Sequence, residues 1–130
     1  METQDLLKIG IGTKETTTLN PSEVKIVSVE IQTETKDGKK MDTPLVHFKC
    51  KHPDKEELIS LSKVKFERNG KLEVVGLWAQ LDEDGMFKKS SAVVAVLNYL
   101  SVGTLEEAYG KDINTIRQSE DNPYLCLKAY

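Results

Sequence analysis

The segment 63–81 most constrains the fold, because it contains the clearest β-hairpin of the chain. Polar and apolar residues alternate over 63–67, Asn69-Gly70 follows, and 72–81 forms a longer, more apolar run. Both central residues of a type I′ turn need a positive φ, which Asn tolerates and Gly adopts freely. These residues therefore predict two antiparallel strands joined by a two-residue turn.

The two-residue turn also predicts which residues of the hairpin share a face. With Arg68 opposite Lys71, position 66 lies opposite 73, 64 opposite 75 and 63 opposite 76, and opposed residues point to the same side. One side is apolar and is predicted to join the core: Val64, Phe66, Val75 and Leu77. The other side combines lysine, apolar surface and the only tryptophan of the chain: Lys63, Lys65, Leu72, Val74, Gly76 and Trp78.

Hydrophobic periodicity indicates further strands and one helix. Alternation predicts strands over 24–35, 45–51 and 58–62, with Pro44 at the start of the second. Ser90 and Ser91 can cap a helix that Gly103 is predicted to end in the left-handed conformation. Strands over 111–116 and 124–130 complete the chain. The apolar stripe of the helix consists of Val93, Val96, Leu97 and Leu100.

This order of elements predicts a mainly β protein with one amphipathic helix. Antiparallel strands, then a helix, then strands that rejoin the sheet match an OB-like five-stranded antiparallel barrel. An α+β sheet with one covering helix is the alternative architecture. We expect one OB-like domain over 1–130, in which 1–20 form a peripheral N-terminal hairpin.

Composition limits the classes of function. The net charge of −3 argues against indiscriminate electrostatic binding to DNA or membranes. Residues 36–89 contain 12 Lys and Arg against 10 Asp and Glu, so the middle is mildly basic between two acidic ends. No apolar run approaches the roughly 20 residues that span a bilayer, and the polar start is unlike a secretory signal. We therefore expect a cytoplasmic protein without a membrane partner, in the host cell if it is viral, with both cysteines reduced.

The Lys/Trp side of the hairpin is the candidate binding surface. Lysines neutralise phosphates and a flat aromatic side chain stacks on a base, which is how single-stranded nucleic acid is bound without sequence preference. The alternative is a protein-interaction or assembly module, in which the same face is an oligomer interface and Trp78 is its anchor. Leu61 is predicted to lie near Trp78 by continuation of the register, which favours burial. The candidate nucleic-acid-binding residues are Lys49, Lys51, Lys63, Lys65, Arg68, Lys71 and Trp78.

Motifs for catalysis or metal binding are weak. No Ser-His-Asp or Cys-His arrangement has supporting context, so a non-enzymatic protein without a cofactor is expected. His47, Cys50 and His52 have the chemistry of metal ligands but lack the paired spacing of a zinc site. The acidic segment 82–85 fails as a calcium loop, because Gln80 and Ser91 would occupy the first and twelfth ligand positions.

The C-terminal half resembles a family of small proteins. After the hairpin and the helix come Val102-Gly103, Thr104-Leu105-Glu106-Glu107, Gly110-Lys111 and a closing Tyr124-Leu125-Cys126-Leu127. Over 63–130 this series resembles OB-fold-like single-stranded DNA-binding proteins of phages and archaeal mobile elements. The resemblance implies binding of single-stranded DNA in replication or recombination of a mobile element.

Overall fold

A computed structural model describes residues 19–130. The predicted N-terminal hairpin over 1–20 therefore lies almost wholly outside the described residues. The described residues contain seven strands, one α-helix and one short 3₁₀ helix, in chain order β1 (Glu23–Glu34), β2 (Lys40–Lys51), β3 (Ile59–Leu61), β4 (Lys63–Arg68), β5 (Lys71–Gly76), α1 (Ala92–Tyr99), the 3₁₀ turn (Glu106–Ala108), β6 (Asp112–Arg117) and β7 (Leu125–Lys128).

The strands form one sheet in the order β3-β2-β1-β6-β7-β4-β5. The two strands made last, β6 and β7, lie between β1 and β4, and β4 pairs with β7 in parallel while the other named pairs are antiparallel. For residues 19–130, the prediction of a mainly β fold with one helix is confirmed. In this part of the chain the sheet has seven strands rather than five, and its order has two ends, at β3 and β5.

The predicted register of the central hairpin is confirmed. Lys63 pairs with Gly76 and Arg68 with Lys71, and both turn residues have positive φ, 53° at Asn69 and 79° at Gly70. The returning strand is shorter than predicted and ends at Gly76, because the chain then leaves β4 and meets β2.

The second strand begins at Lys40, several residues before its predicted start. Pro44 lies inside it, where proline is tolerated only if its missing N–H is not needed for the ladder. The register shifts between Gln32 and Glu34 of the partner strand, opposite this part of β2. The carbonyl of Pro44 still accepts a hydrogen bond of 2.8 Å from the N–H of Ala79.

The core lies between the inner face of the sheet and α1. Ser91 caps the helix as predicted, with its hydroxyl accepting from the N–H of Val94 at 3.3 Å. Val93, Val96 and Leu97 of the stripe are buried, and they pack with sheet residues that include Val46, Phe48, Val64, Leu77 and Leu127. The helix has eight residues, and none in the described part of the chain is long and apolar enough to cross a membrane.

Strand alternation breaks at Ser62, between β3 and β4. Leu61 and Val64 are both buried although they are three residues apart, so one residue interrupts the alternation. Leu77 lies at this break, where its N–H donates to the carbonyl of Ser62 and its carbonyl accepts from the N–H of Val46, each at 2.8 Å. Leu61 therefore belongs to the core beside Phe48, and the prediction that it shares the face of Trp78 is wrong.

The helix ends at a left-handed serine rather than at Gly103. Ser101 has a φ of 59°, its N–H donates to the carbonyl of Asn98, and the N–H of Val102 donates to the carbonyl of Leu97. These two bonds form a Schellman motif, in which the left-handed position is usually glycine. Gly103 does not have a left-handed φ.

We expect Ser101→Gly to raise the free energy of unfolding by about 0.5–1 kcal/mol, as measured by urea denaturation. The left-handed conformation costs a residue with a Cβ roughly 1–2 kcal/mol, and part of this gain is offset by the greater freedom of glycine in the unfolded chain. Gly103→Ala is the control, since a Cβ there meets no atom nearer than Glu107 Oε1 at 3.8 Å. Destabilisation by Ser101→Gly would contradict this account of the helix end.

Candidate nucleic-acid interface

The sheet surface opposite the core, called here the outer face, carries most of the predicted binding residues. Alternation with the buried residues of β2, β4 and β5 directs their other side chains to this face. Trp78 follows β5 on the same side, since its neighbour Leu77 is fully buried. The residues of the outer face used below are Leu45, His47, Lys49, Lys51, Ser60, Lys63, Lys65, Leu72, Val74, Gly76, Trp78 and Lys128.

Trp78 is held on the outer face by β2 and β5 together. It forms an isolated antiparallel bridge with Leu45, and its indole lies against Gly76, where a Cβ would be only 2.8 Å from Nε1. A glycine is needed at this position because any larger residue would displace the ring. With 40% of its surface exposed, Trp78 still offers aromatic surface to a ligand.

Lys63 and Lys65 lie next to each other on the outer face of β4. Lys63 is opposite Gly76 and Lys65 opposite Val74, so both flank the strand that leads to Trp78. The Lys63 ammonium donates weakly to Gln118 Oε1 at 3.5 Å. Neither lysine forms an ion pair within residues 19–130, which leaves both charges available to an anion.

Lys128 extends this basic row, and sequence reasoning missed it. Parallel pairing places it beside Lys65, and its ammonium lies 4.2 Å from the centre of the Tyr130 ring. Alternation over 124–130 indicates that Cys126, Lys128 and Tyr130 share a face. Their position next to β4 was not predictable, because the parallel pairing joins segments about 60 residues apart.

Lys49 and Lys51 lie on the outer face of β2, further from Trp78. Lys49 forms an ion pair of 3.3 Å with Glu30, which reduces its net charge toward a ligand. The Lys51 ammonium donates to the carbonyl of Lys55. Of these lysines, only Lys49 is paired with a carboxylate within residues 19–130, in contrast to Lys63 and Lys65.

His47 connects three strands on this face. Its Nε2–H donates to Gln32 Oε1 at 2.6 Å, and its Nδ1 accepts from the Ser60 hydroxyl at 2.9 Å. Burial lowers the pKa of His47 from its ordinary value, Lys49 lowers it further, and Glu30 opposes them. The imidazole is therefore neutral at pH 7 and orders the surface without adding charge.

Arg68 and Lys71 are not brought together with the other candidates. They pair at the hairpin end, on the side of Phe66 and Glu73. The guanidinium of Arg68 lies 5.2 Å from the centre of the Phe66 ring and 3.8 Å from the Glu73 carboxylate. Of the seven candidates, the structure places Lys49, Lys51, Lys63, Lys65 and Trp78 on the outer face and these two on the opposite side.

A cleft opens beside Trp78 toward the turn between β1 and β2. It has a volume of about 590 Å³, within the roughly 300–1,000 Å³ typical of small-molecule sites. Lys39 and Lys40 line it, and sequence reasoning did not select either of them. The alternation of β5 alone does not reveal this proximity, which depends on the bridge between Leu45 and Trp78.

The predicted metal-ligand types serve other purposes. Within residues 19–130, no group of three or more His, Cys, Asp or Glu could hold a metal ion. His52 is fully buried and bonded to backbone groups on both ring nitrogens. Burial raises the pKa of Cys50 to about 12 and that of Cys126 to about 11, so both thiols are protonated at neutral pH and are poor nucleophiles.

Comparisons with known proteins add no relatives. A scan against protein-family models, a search of curated proteins and a search of solved structures each found no match.

Proposed function

We propose that this protein binds single-stranded nucleic acid, in the first instance DNA, through the outer face and without catalysis. The observation that carries the proposal is the exposed indole of Trp78 on the same face as Lys63 and Lys65. Base stacking on an aromatic ring together with phosphate neutralisation is the usual mode of sequence-tolerant binding. A role in replication or recombination of a mobile element follows from the resemblance over 63–130.

We further propose that the fold is an OB-like barrel. Only Ser62 separates β3 from β4, and this combined segment pairs with β2 at its start and with β7 further along. Since β7 pairs with β6, β6 with β1 and β1 with β2, the pairing supports the five-stranded circuit of an OB-type barrel. β5 would then be an addition to that barrel, paired with β4, the barrel strand that carries Lys63 and Lys65.

Single strands suit this surface better than a duplex. Stacking on Trp78 requires a base whose face is free, and duplex bases are already stacked on their neighbours. The overall charge of −3 also disfavours the long-range attraction on which non-specific duplex binding depends. A short basic row beside one aromatic residue is enough for a few nucleotides of single strand.

The test is fluorescence anisotropy with one labelled oligonucleotide, single-stranded or annealed to its complement, at several salt concentrations. We expect tighter binding of the single strand. If Lys63, Lys65 and Lys128 each contact a phosphate, the plot of log K against log salt should have a slope of about −2, from roughly 0.7 per contact. Absence of binding at low salt, or equal affinity for the duplex, would refute the proposal.

Matched lysine variants assign the salt dependence to the outer face. Lys65→Gln should reduce the magnitude of the slope by roughly 0.7. Lys71→Gln is the control on the same hairpin, because Lys71 lies on the opposite side, and it should leave the slope unchanged. If Lys71→Gln instead has the larger effect, the ligand lies on the Arg68 side of the hairpin.

A further inference from the structure

The cleft beside Trp78 is lined by charged residues as well as by the aromatic ring, so it can contact the phosphate and the base edge of a nucleotide in addition to the base face. Its walls come from two separate parts of the chain, with Trp78 on one side and residues of the β1–β2 hairpin on the other. Lys39, Lys40 and Asp42 are among its lining residues, two cations and one anion, and Asp42 is exposed. A base, a phosphate and a hydrogen-bonding edge therefore each have a chemically suitable partner.

The carboxylate is unexpected on a surface that binds a polyanion, and it needs an explanation. Asp42 forms no ion pair or side-chain hydrogen bond within residues 19–130, so it is not used to stabilise the fold. A carboxylate only accepts hydrogen bonds when ionised. It therefore favours a ligand edge that presents donors and disfavours one that presents acceptors.

Among the common bases, guanine alone presents two adjacent donors on its Watson–Crick edge, N1–H and the N2 amino group. Adenine, cytosine and thymine each place an acceptor beside their donor, which would face the carboxylate unfavourably. Two parallel bonds to a carboxylate are charge-assisted and geometrically specific. Leaving the carboxylate unpaired beside another base adds a desolvation cost to the discrimination.

We propose that this cleft is a guanine-selective nucleotide subsite, in which the base stacks on Trp78 and Asp42 accepts from its Watson–Crick edge. Lys39 and Lys40 contact the adjoining phosphate. This inference rests on the proposed binding of single strands and adds a base preference to it. The protein is then expected to prefer guanine at one nucleotide position and to tolerate any base at the others.

The test follows quenching of Trp78, the single tryptophan of the chain, by oligo(dT) and by the same oligomer with one central dG, dA or dC. We expect the dG oligomer to bind about tenfold more tightly than oligo(dT), because one bidentate base contact discriminates against the wrong base by about that factor. Replacing dG by deoxyinosine removes the N2 amino group and should abolish most of this preference. A preference for dA or dC, or an unchanged preference with deoxyinosine, would overturn the proposal.

Asp42→Asn tests the residue itself. The substitution keeps the shape of the side chain at an exposed position, and it should remove the preference for dG while leaving the affinity for oligo(dT) unchanged or slightly higher. Asp37→Asn, in the same hairpin but outside the cleft, is the control and should retain the preference. Survival of the dG preference in Asp42→Asn would reject the assignment.

The outcomes separate this inference from the function on which it rests. Binding of oligo(dT) with no gain from dG would leave single-strand binding standing and reject only the guanine subsite. Failure of every oligomer to bind would reject both. Lys39→Gln and Lys40→Gln, compared with Lys36→Gln in the same turn, should weaken binding of all oligomers equally, because phosphate contacts carry no base information.

Discussion

Trp78→Ala is expected to weaken binding of single-stranded oligonucleotides by roughly 5- to 150-fold, since stacking of one base on an aromatic side chain contributes about 1–3 kcal/mol. The loss should be largely independent of salt, because the substitution removes stacking and no charge. The folded state should tolerate it, as 40% of Trp78 is exposed and its main contacts are Gly76 and the bridge to Leu45. Anisotropy titrations at two salt concentrations measure the affinity and its dependence on salt.

Tyr109→Ala is the matched aromatic control. Tyr109 is 46% exposed and follows the 3₁₀ turn, whose Ala108 packs in the core, so it is not among the residues of the outer face and its removal should leave affinity unchanged. Unaltered affinity in Trp78→Ala would contradict the stacking role. If size-exclusion chromatography with light scattering shows an oligomer that dissociates in Trp78→Ala, the outer face is instead an assembly interface with Trp78 as its anchor.

His52→Ala is expected to lower the free energy of unfolding by about 3 kcal/mol. The ring is fully buried, its Nε2–H donates to the carbonyl of Asn20 at 2.8 Å, and its Nδ1 accepts from the N–H of Asp54 at 3.0 Å. The substitution leaves these two backbone groups without their partner and opens a cavity, and each effect costs on the order of 1–3 kcal/mol. Urea denaturation followed by circular dichroism measures the change.

Two further variants distinguish how much of the stability lost in His52→Ala comes from the hydrogen bonds of His52 and how much from the volume of its ring. His52→Asn can place its side-chain oxygen near the position of Nδ1 and should recover part of the loss through the Asp54 N–H. His47→Ala, on the outer face, removes a histidine that is only partly buried and should cost clearly less. A loss below 1 kcal/mol in His52→Ala would show that the two backbone groups find other partners.

Local sequence patterns predicted the hairpin and the helix start well. The Asn69-Gly70 turn determines the pairing of β4 with β5 because a two-residue loop allows a single register. The break at Ser62 was not predictable in this way, since no proline or glycine marks it and the neighbouring residues continue a plausible alternation. Its cause is tertiary: the backbone of Leu77 bonds to Ser62 and Val46 at this point.

The candidate site was predictable only where its residues belong to one hairpin. Lys63, Lys65 and Trp78 follow from a single register, and the structure places them on one face. Arg68 and Lys71 were selected for their charge, whereas the same register puts them on the opposite side. Lys39, Lys40 and Lys128 approach the site through pairings between distant segments, which a single sequence does not reveal.

The helix end shows the limit of reading a residue type as a structural signal. Gly103 matched the expected terminator, yet Ser101 takes the left-handed conformation one residue after the helix cap at Leu100. The last buried residue of the stripe is Leu97, and Leu100 is only partly buried against the core. The serine is tolerated because the two bonds of the Schellman motif offset its conformational cost.

The place of β6 and β7 in the sheet has a consequence for synthesis of the chain. Both strands enter between β1 and β4, so a nascent chain without them has two additional unpaired strand edges, one on β1 and one on β4. Such edges can pair with other nascent chains, and contacts over long sequence separations form slowly. Completion of the sheet must therefore wait until β7 has left the ribosome, and until then the edges of β1 and β4 are exposed to aggregation.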